Sequence, residues 1–134
     1  MDVLTAMLDG GLPLTAHERD ELGDPAADPA DCAALAALCP YHTLGAAGRA
    51  AYPPTLVTTA ADDARVPAWG PAKFAARLRR LAAGARGPVL LDAAAHGGHF
   101  GGERGAAEAA AELSFLLGAL GSAEGRAAGW VRQA

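Results

Sequence analysis

Two polar turns carry the residue types that can perform acid–base chemistry. Asp62 and Asp63 follow an apolar run over residues 55–59, and His96 follows a second apolar run over residues 88–91. Turns that follow parallel strands meet at one edge of the sheet, so these side chains are expected to lie together. There a carboxylate can orient an imidazole through its Nδ1–H and stabilise the imidazolium, as in a Ser-His-Asp triad.

The nucleophile is the triad member that this sequence does not supply. The order of acid and then base is that of the last two triad members in an α/β-hydrolase. The only serines, Ser114 and Ser122, come after His96, and neither has the Gly-x-Ser-x-Gly setting of a nucleophile elbow. We therefore expect an acid and a base that act on a serine from outside this sequence.

Each turn offers a rival of the same residue type. Asp63 is preferred to Asp62 because of its offset from Arg65, and His99 is the rival of His96. The two histidines also suggest a metal site, with Asp92 or Glu103 as a further ligand. The glycine-rich segment around them lacks the helical face that pairs histidines on a metal, which weakens that interpretation.

The other candidate side chains have ordinary structural explanations. Arg65 can either bind a substrate carbonyl or carboxylate, or brace its loop through a salt bridge. Cys32 and Cys39 are separated by six residues, a wider spacing than the two to four that metal pairs usually show, and they are interpreted as small, partly buried residues in a helical stretch. His17 and His42 are interpreted as surface or loop residues. The sequence thus predicts no metal and no cofactor.

Composition limits the partners of the protein. A length of 134 residues indicates one domain or part of one, and the net charge of −4 gives no electrostatic footprint for nucleic acid. An apolar run of about 18 residues, which a membrane span requires, is absent, and so is a basic N-terminal region of the signal-peptide type. We expect a cytoplasmic protein with no membrane or nucleic-acid partner.

The elements between the two turns must bring them together. Residues 56–59 and 89–91 are predicted as strands, and residues 71–83 as the helix between them. A strand–helix–strand order forms a parallel pair, but a sheet needs roughly three strands or a large helical cover to be stable. We therefore predict an α/β fold that is an incomplete, C-terminal portion of a larger parallel sheet flanked by helices.

The remaining segments are mostly helical. Residues 2–9 suggest a strand end or a helical turn, and residues 41–54 a loop. A capping box at Thr15 predicts a helix at 16–22. Helices are also predicted at 30–38, capped by Asp28 or Asp31, and at 103–120. Residues 1–120 are expected to form the domain portion, and residues 121–134 a flexible tail.

Several short motifs together resemble one peptidase family. They are Asp2–Asp9, Leu12–Thr15, Pro40-Tyr41, Tyr52-Pro53, Leu56–Thr59, Asp63–Pro67, Trp69, Pro71–Phe74, His96–Gly98 and Phe115–Leu117. In combination they are similar to the C-terminal part of the catalytic domain in the prolyl oligopeptidase family (serine peptidase family S9), and most similar to its oligopeptidase B branch, also called protease II.

The resemblance implies a serine peptidase that cleaves short peptides, after Lys or Arg in the oligopeptidase B branch. It implies that Asp63 is the triad acid, His96 the general base and Arg65 a contact of the substrate backbone. The spacing from His96 to Phe115 favours His96 over His99. An α/β-hydrolase domain capped by a β-propeller is implied, with the nucleophile elbow, the oxyanion hole and the propeller all preceding Met1.

The function expected from the sequence is therefore that of a partial serine oligopeptidase, inactive alone because it lacks the serine and the oxyanion hole. Its expected partners are a peptide substrate in the intact enzyme and the missing N-terminal part of the catalytic domain with the propeller. Two alternatives remain: a non-catalytic interaction remnant whose sheet edge pairs with another chain, and a part of another α/β-hydrolase such as an acyl-peptidase or esterase.

Overall fold

The protein combines an N-terminal group of helices with a small parallel sheet. A computed structural model describes residues 2–45, 52–82, 87–99 and 105–121. The elements of these residues are α1 Val3–Leu8, α2 Thr15–Leu22, α3 Pro29–Leu38, α4 Pro40–Thr43, β1 Thr55–Ala60, α5 Trp69–Leu81, β2 Val89–Ala94 and α6 Ala106–Ala119. No helix within the described residues is long and apolar enough to cross a membrane.

The two strands pair in parallel, as the sequence predicts. Their register runs without a slip from Thr55 opposite Val89 to Ala60 opposite Ala94. β2 is longer than its apolar run because backbone pairing with β1 continues through Asp92, where the side-chain pattern no longer indicates a strand. This register brings the carboxyl ends of both strands to the same edge of the sheet.

Helix α5 covers part of the sheet. It packs against both strands, with Ala75 and Leu78 buried on the helix and Val57 buried on β1. The helix begins two residues earlier than Pro71, the predicted first position. Pro71 is accommodated because a residue in the first turn needs no intrahelical partner for its N–H.

Two basic residues of α5 pack against an aromatic ring of the N-terminal helices. The Lys73 ammonium lies 4.7 Å from the centroid of the Tyr41 ring, and the Arg77 guanidinium carbon lies 4.9 Å from it. Arg77 also donates a hydrogen bond to the carbonyl of Leu44 at 3.2 Å. These cations join α5 to the N-terminal helices, since Tyr41 lies in α4.

The N-terminal helices share a core of Leu4, Met7, Leu35 and Cys39. Residues 2–9, where the sequence suggests a strand end or a helical turn, form α1 because the Asp2 side chain accepts the Thr5 N–H and caps the helix.

The capping box predicted at Thr15 is wrong. Leu14 occupies the cap position of α2, with no side-chain cap hydrogen bond. The buried Thr15 hydroxyl is directed instead to the carbonyls of Ala6 and Asp9, at 3.0 and 2.9 Å. Thr15 is the first residue of α2 rather than its cap, and its hydroxyl attaches the start of α2 to the end of α1.

Asp28 and Asp31 are both predicted as possible N-caps of α3, and the structure shows that Asp28 is the N-cap. Its carboxylate accepts the Ala30 N–H at 2.8 Å, while Asp31 accepts the N–H of Asp24. Part of the predicted loop 41–54 is helical, because α4 begins at Pro40 directly after α3. Of the tail predicted at 121–134, all but Gly121 lies outside the described residues.

Much of the sheet and of α6 is uncovered. Thr58 is exposed on β1, and no residue of β2 is buried. Four leucines of α6 and its C-terminal turn are exposed, namely Leu113, Leu116, Leu117 and Leu120. A parallel sheet is ordinarily covered on both faces, so the described residues form part of a larger α/β arrangement.

Candidate active site

The loop after β1 holds Asp63 in a fixed orientation. The Asp63 N–H donates to the Ala60 carbonyl at 3.2 Å, which continues the chain out of the strand. The Asp63 Oδ1 accepts the N–H groups of Arg65 and Val66, both at 2.9 Å. Such a turn uses one carboxylate oxygen for the backbone and leaves Oδ2 available to another residue.

The surroundings of Asp63 keep its carboxylate ionised. Partial burial raises its pKa, but hydrogen bonds from Val66 N–H, Arg65 N–H and His99 outweigh burial, so the pKa lies below its ordinary value. The side chain is only 11% exposed. Asp63 is therefore a shielded, negatively charged acceptor at neutral pH.

The histidine turn presents two imidazoles to two carboxylates. His99 Nδ1 lies 3.2 Å from Asp63 Oδ2, and His96 Nδ1 lies 3.5 Å from Asp62 Oδ2. The acid and base turns thus meet, as their positions after parallel strands predict. The individual partners differ from the expected pair, since Asp63 faces His99 and His96 faces Asp62.

The two pairs differ in their exposure to water. The His96 side chain is 90% exposed and that of Asp62 is 45% exposed. The His99 side chain is 35% exposed beside an almost buried Asp63. The Asp63–His99 contact is therefore the shorter and the better shielded of the two.

Asp62 also fastens one turn to the other. Its carboxylate accepts the N–H of Gly98 at 2.9 Å and that of Gly97 at 3.4 Å. The Gly98 hydrogen bond is the main reason that the pKa of Asp62 lies below its ordinary value. Gly97 and Gly98 have φ angles of 145° and 58°, a region that side chains disfavour. The paired glycines thus let the backbone turn its amides toward Asp62.

The Asp63–His99 arrangement has the geometry of a general base. A carboxylate on Nδ1 fixes the ring and its tautomer, and it stabilises the positive charge that forms when Nε2 takes a proton. Arg65 lies on the same loop with an exposed side chain, and its backbone N–H serves Asp63. Its predicted contact with substrate stays a prediction.

A second group of titratable residues was not anticipated from the sequence. The side chain of Asp2 is completely buried, and the Lys73 ammonium donates a hydrogen bond to its Oδ2. His42 Nε2 lies 3.7 Å from Asp2 Oδ1, and the Cys39 thiol donates to the same oxygen at 3.7 Å. His42, interpreted from the sequence as a surface or loop residue, thus lies in α4 beside a buried acid.

Charge pairing shifts the pKa of both Asp2 and Lys73. Burial raises the pKa of Asp2, but the hydrogen bonds from Lys73 and Thr5 outweigh it and leave the value below normal. The Lys73 pKa is raised, chiefly by its hydrogen bond to Asp2. The cap position of Asp2 before a helix is a local sequence signal, whereas its pairing with Lys73 is not, because the two residues are far apart in the chain.

Comparison with known proteins places nearly the whole chain in one sequence family. The sequence model described as "Prolyl oligopeptidase family" matches residues 1–123. The chain is 40% identical over 126 residues to dipeptidyl aminopeptidase BI of Pseudoxanthomonas mexicana, covering 92% of the chain and 17% of that protein. It is 37% identical over 101 residues to protease 2 of Moraxella lacunata, covering 75% of the chain and 14% of that protein.

A vertebrate relative shows lower similarity. The chain is 34% identical over 80 residues to a prolyl endopeptidase-like protein of Gallus gallus, covering 60% of the chain and 10% of that protein. The chain therefore spans about a sixth or less of the length of these curated relatives.

Proposed function

The chain belongs to the prolyl oligopeptidase family, and on that premise we propose that its two polar turns supply the acid and base of a serine peptidase triad. The helices and the two-stranded parallel sheet are those of a partial α/β-hydrolase fold. The observation that carries the proposal is the contact between Asp63 and the histidine turn at the carboxyl edge of the sheet.

The proposed acid is Asp63, as the sequence predicts. Its Oδ1 is occupied by two backbone amides, so only Oδ2 is available to orient an imidazole. The proposed base is His99, because its Nδ1 lies 3.2 Å from that oxygen. His96, which the spacing to the last helix favours, is the alternative base and lies beside the more exposed Asp62.

In the proposed reaction, Nε2 of the histidine takes the proton of a serine hydroxyl from a part of the enzyme outside this sequence. The serine oxygen attacks the peptide carbonyl, and the histidine then gives its proton to the leaving amine as the acyl-enzyme forms. Water, activated by the same histidine, hydrolyses the acyl-enzyme. Asp63 stays ionised throughout, in keeping with its lowered pKa.

The proposed substrates are short peptides cut after Lys or Arg. The similarity to protease 2 supports this preference, which the oligopeptidase B branch implies. Arg65 is proposed to contact the substrate backbone from the Asp63 loop. The remainder of a catalytic domain, with a propeller, is the proposed partner that supplies the nucleophile and the oxyanion hole.

A chimera tests the proposed base. The aligned segment of protease 2 of Moraxella lacunata is replaced by this chain, and kcat/KM is measured on Lys and Arg peptide substrates. We expect cleavage by the chimera, a loss of at least about 10⁴-fold in His99→Gln, and less than tenfold in His96→Gln. The reverse pattern would assign the base to His96, and full activity in both variants would refute the acid–base proposal.

The chain alone is expected to give no turnover of the same substrates. An acid and a base without a nucleophile and an oxyanion hole lack both the covalent route and the main electrostatic stabilisation. Cleavage by the purified 134-residue chain that His99→Gln or His96→Gln abolishes would contradict this expectation.

The uncovered surfaces support a second candidate function, a non-catalytic interaction module. Within the described residues the sheet has two strands, so each strand has one edge without a strand partner. Exposed leucines of α6 add apolar surface. Folding of the chimera without recovery of peptidase activity would favour this candidate.

A further inference from the structure

The donor atoms of Asp2, Cys39 and His42 converge at the junction of α1, α3 and α4. Asp2 is the N-cap of α1, Cys39 follows α3, and His42 lies in α4. One carboxylate oxygen, the Cys39 sulfur and one His42 ring nitrogen all lie within 4.8 Å of one another. We propose that these three residues form a binding site for a divalent transition-metal ion of the zinc type.

The separations of the donor atoms are close to those around a shared metal ion. His42 Nε2 is 3.7 Å from Asp2 Oδ1, which is too long for a hydrogen bond between nitrogen and oxygen. Zinc bonds of about 2.0–2.3 Å in a tetrahedral arrangement place neighbouring donors about 3.3–3.6 Å apart. The two separations from Asp2 Oδ1, 3.7 Å to Nε2 and 3.7 Å to Sγ, are within a few tenths of an ångström of these values, and all three donor atoms lie within 4.8 Å of one another.

The local sequence has a spacing that zinc sites use. Cys39 and His42 form Cys-x-x-His, and ligand pairs two to four residues apart are typical of such sites. Their relative position is fixed by the backbone, since the His42 N–H donates to the Cys39 carbonyl at 3.0 Å. His42 is thus a closer potential metal-binding partner of Cys39 in the sequence than Cys32 is.

Lys73 orients the carboxylate without occupying the shared oxygen. Its ammonium binds Oδ2, whereas Oδ1 accepts the Thr5 N–H at 3.2 Å and faces Cys39 and His42, so that its second lone pair serves the metal ion. Metal-ligating carboxylates are commonly held in this way by an outer hydrogen bond. A thiolate and a carboxylate offset the charge of a divalent ion, and the remaining charge of Lys73 lowers the affinity of the site.

Binding converts the Cys39 thiol to a metal-bound thiolate and releases its proton to water. The His42 side chain is 37% exposed, so solvent reaches the site from that side and can supply a fourth ligand. The donor set of sulfur, nitrogen and oxygen suits zinc and cobalt better than magnesium or calcium, which take oxygen ligands.

Cobalt titration of the full, reduced and metal-free chain tests the site. We expect one equivalent of Co²⁺ to produce thiolate-to-cobalt charge-transfer absorption together with tetrahedral visible bands. Added Zn²⁺ should displace the cobalt and abolish both. Cys39→Ala should remove the charge-transfer band, and His42→Ala should weaken binding by at least about tenfold.

Cys32→Ala is the matched control, because Cys32 is a half-buried cysteine of α3 outside the donor cluster. It should leave the titration unchanged. Absence of the charge-transfer band in the wild-type chain, or its equal loss in Cys32→Ala, would overturn the site. Far-UV circular dichroism shows whether each variant is folded. If Cys39→Ala is unfolded, the His42→Ala variant provides the test, because His42 is partly exposed. An unchanged Co²⁺ affinity of His42→Ala would refute the proposal.

Discussion

Asp62 and Asp63 are neighbours of identical chemistry in different environments. The carboxylate of Asp63 is nearly buried and holds two amides of its own loop, which leaves one oxygen for His99. The carboxylate of Asp62 is half-exposed and binds the amides of the glycine turn. In the proposed reaction Asp63 therefore orients the base, while Asp62 attaches the two turns to each other.

Substitution of each carboxylate by its amide should separate these roles. In the chimera, Asp63→Asn should lower kcat/KM by about 10⁴-fold, since an amide cannot stabilise the imidazolium and favours the wrong tautomer. Asp62→Asn keeps an acceptor for Gly98 and should cost less than tenfold. The measurement is kcat/KM on one peptide substrate, and equal losses in the two variants would contradict the assignment.

Lys73 should stabilise the fold through the buried Asp2. Lys73→Gln leaves the Asp2 carboxylate without its cation and should cost about 1–2 kcal/mol at pH 7, a moderate value because the ammonium is partly solvated. Urea unfolding measures the change. Arg80→Gln, at an exposed position of the same helix, is the control and should change stability by less than about 0.5 kcal/mol.

The same pair predicts how stability varies with pH. Because the pKa of Asp2 is lowered, the pair contributes stability that is fully present above about pH 3.9, the pKa of Asp in the unfolded chain. This stability is lost as the pH falls through the pKa of Asp2 in the folded chain. Because the pKa of Lys73 is raised, the pair contributes stability that is fully present below about pH 10.4, the pKa of Lys in the unfolded chain. This stability is lost as the pH rises through the pKa of Lys73 in the folded chain. Urea midpoints across this range should show both losses, and Lys73→Gln should remove the alkaline one. An identical alkaline loss in the variant would contradict the pairing.

At the scale of elements, strand order and helix amphipathicity were predictable, whereas the ends of the elements were not. The apolar pattern predicts β1 and α5, because burial of one face decides both. Thr15 does not cap α2, because the helix already begins at Thr15, and its hydroxyl donates to carbonyls of Ala6 and Asp9. The position of the first helical residue depends on such tertiary contacts, which a local pattern does not contain.

The candidate site shows the same division. The positions of the two turns follow from the parallel topology of the strands. The pairing of acids with bases depends instead on the positive φ angles of Gly97 and Gly98, which turn the N–H groups of these glycines toward Asp62. A choice between His96 and His99 is a difference of three residues within one turn. The spacing to the last helix favours His96, whereas the contact with Asp63 favours His99, so the variants of the chimera have to decide between them.

The end of α2 offers a test at the element scale. Gly23 has a φ of 80°, and an added Cβ would overlap the Asp31 carboxylate that accepts the Asp24 N–H. Gly23→Ala should therefore destabilise the chain by about 1–3 kcal/mol. Gly10→Ala is the matched control, because open space surrounds its Cβ position. Urea unfolding measures both, and equal stability of the two variants would refute the argument.

At the scale of the whole molecule, the uncovered surface is the main feature. The chain spans 17% of its Pseudoxanthomonas relative, and its described residues expose leucines along α6 as well as the sheet. Exposed apolar surface of this kind favours association with other protein surfaces. That these residues form only part of an α/β fold was predictable from the sequence, because two parallel strands are too few to be stable without further cover.

We expect the purified chain to self-associate through the exposed leucines of α6 and its C-terminal turn. The double variant Leu116→Gln, Leu120→Gln should reduce this self-association, because both leucines are exposed and apolar. Light scattering after size exclusion, at several concentrations, measures the mass. Leu38→Gln, an exposed leucine of α3, is the control. A monomeric wild-type chain at every concentration, or an equal effect of the control, would contradict this role for α6.

The long crossover between β1 and β2 also governs the order in which the chain folds. The Thr15 hydrogen bonds join residues six and nine positions apart, whereas Asp63–His99 and Asp62–Gly98 each join residues 36 positions apart. Non-local contacts form slowly because the intervening loop must close before any contact compensates for its entropy. The turns that carry the proposed acid and base are therefore expected to reach their native positions after the loop between α1 and α2 has formed.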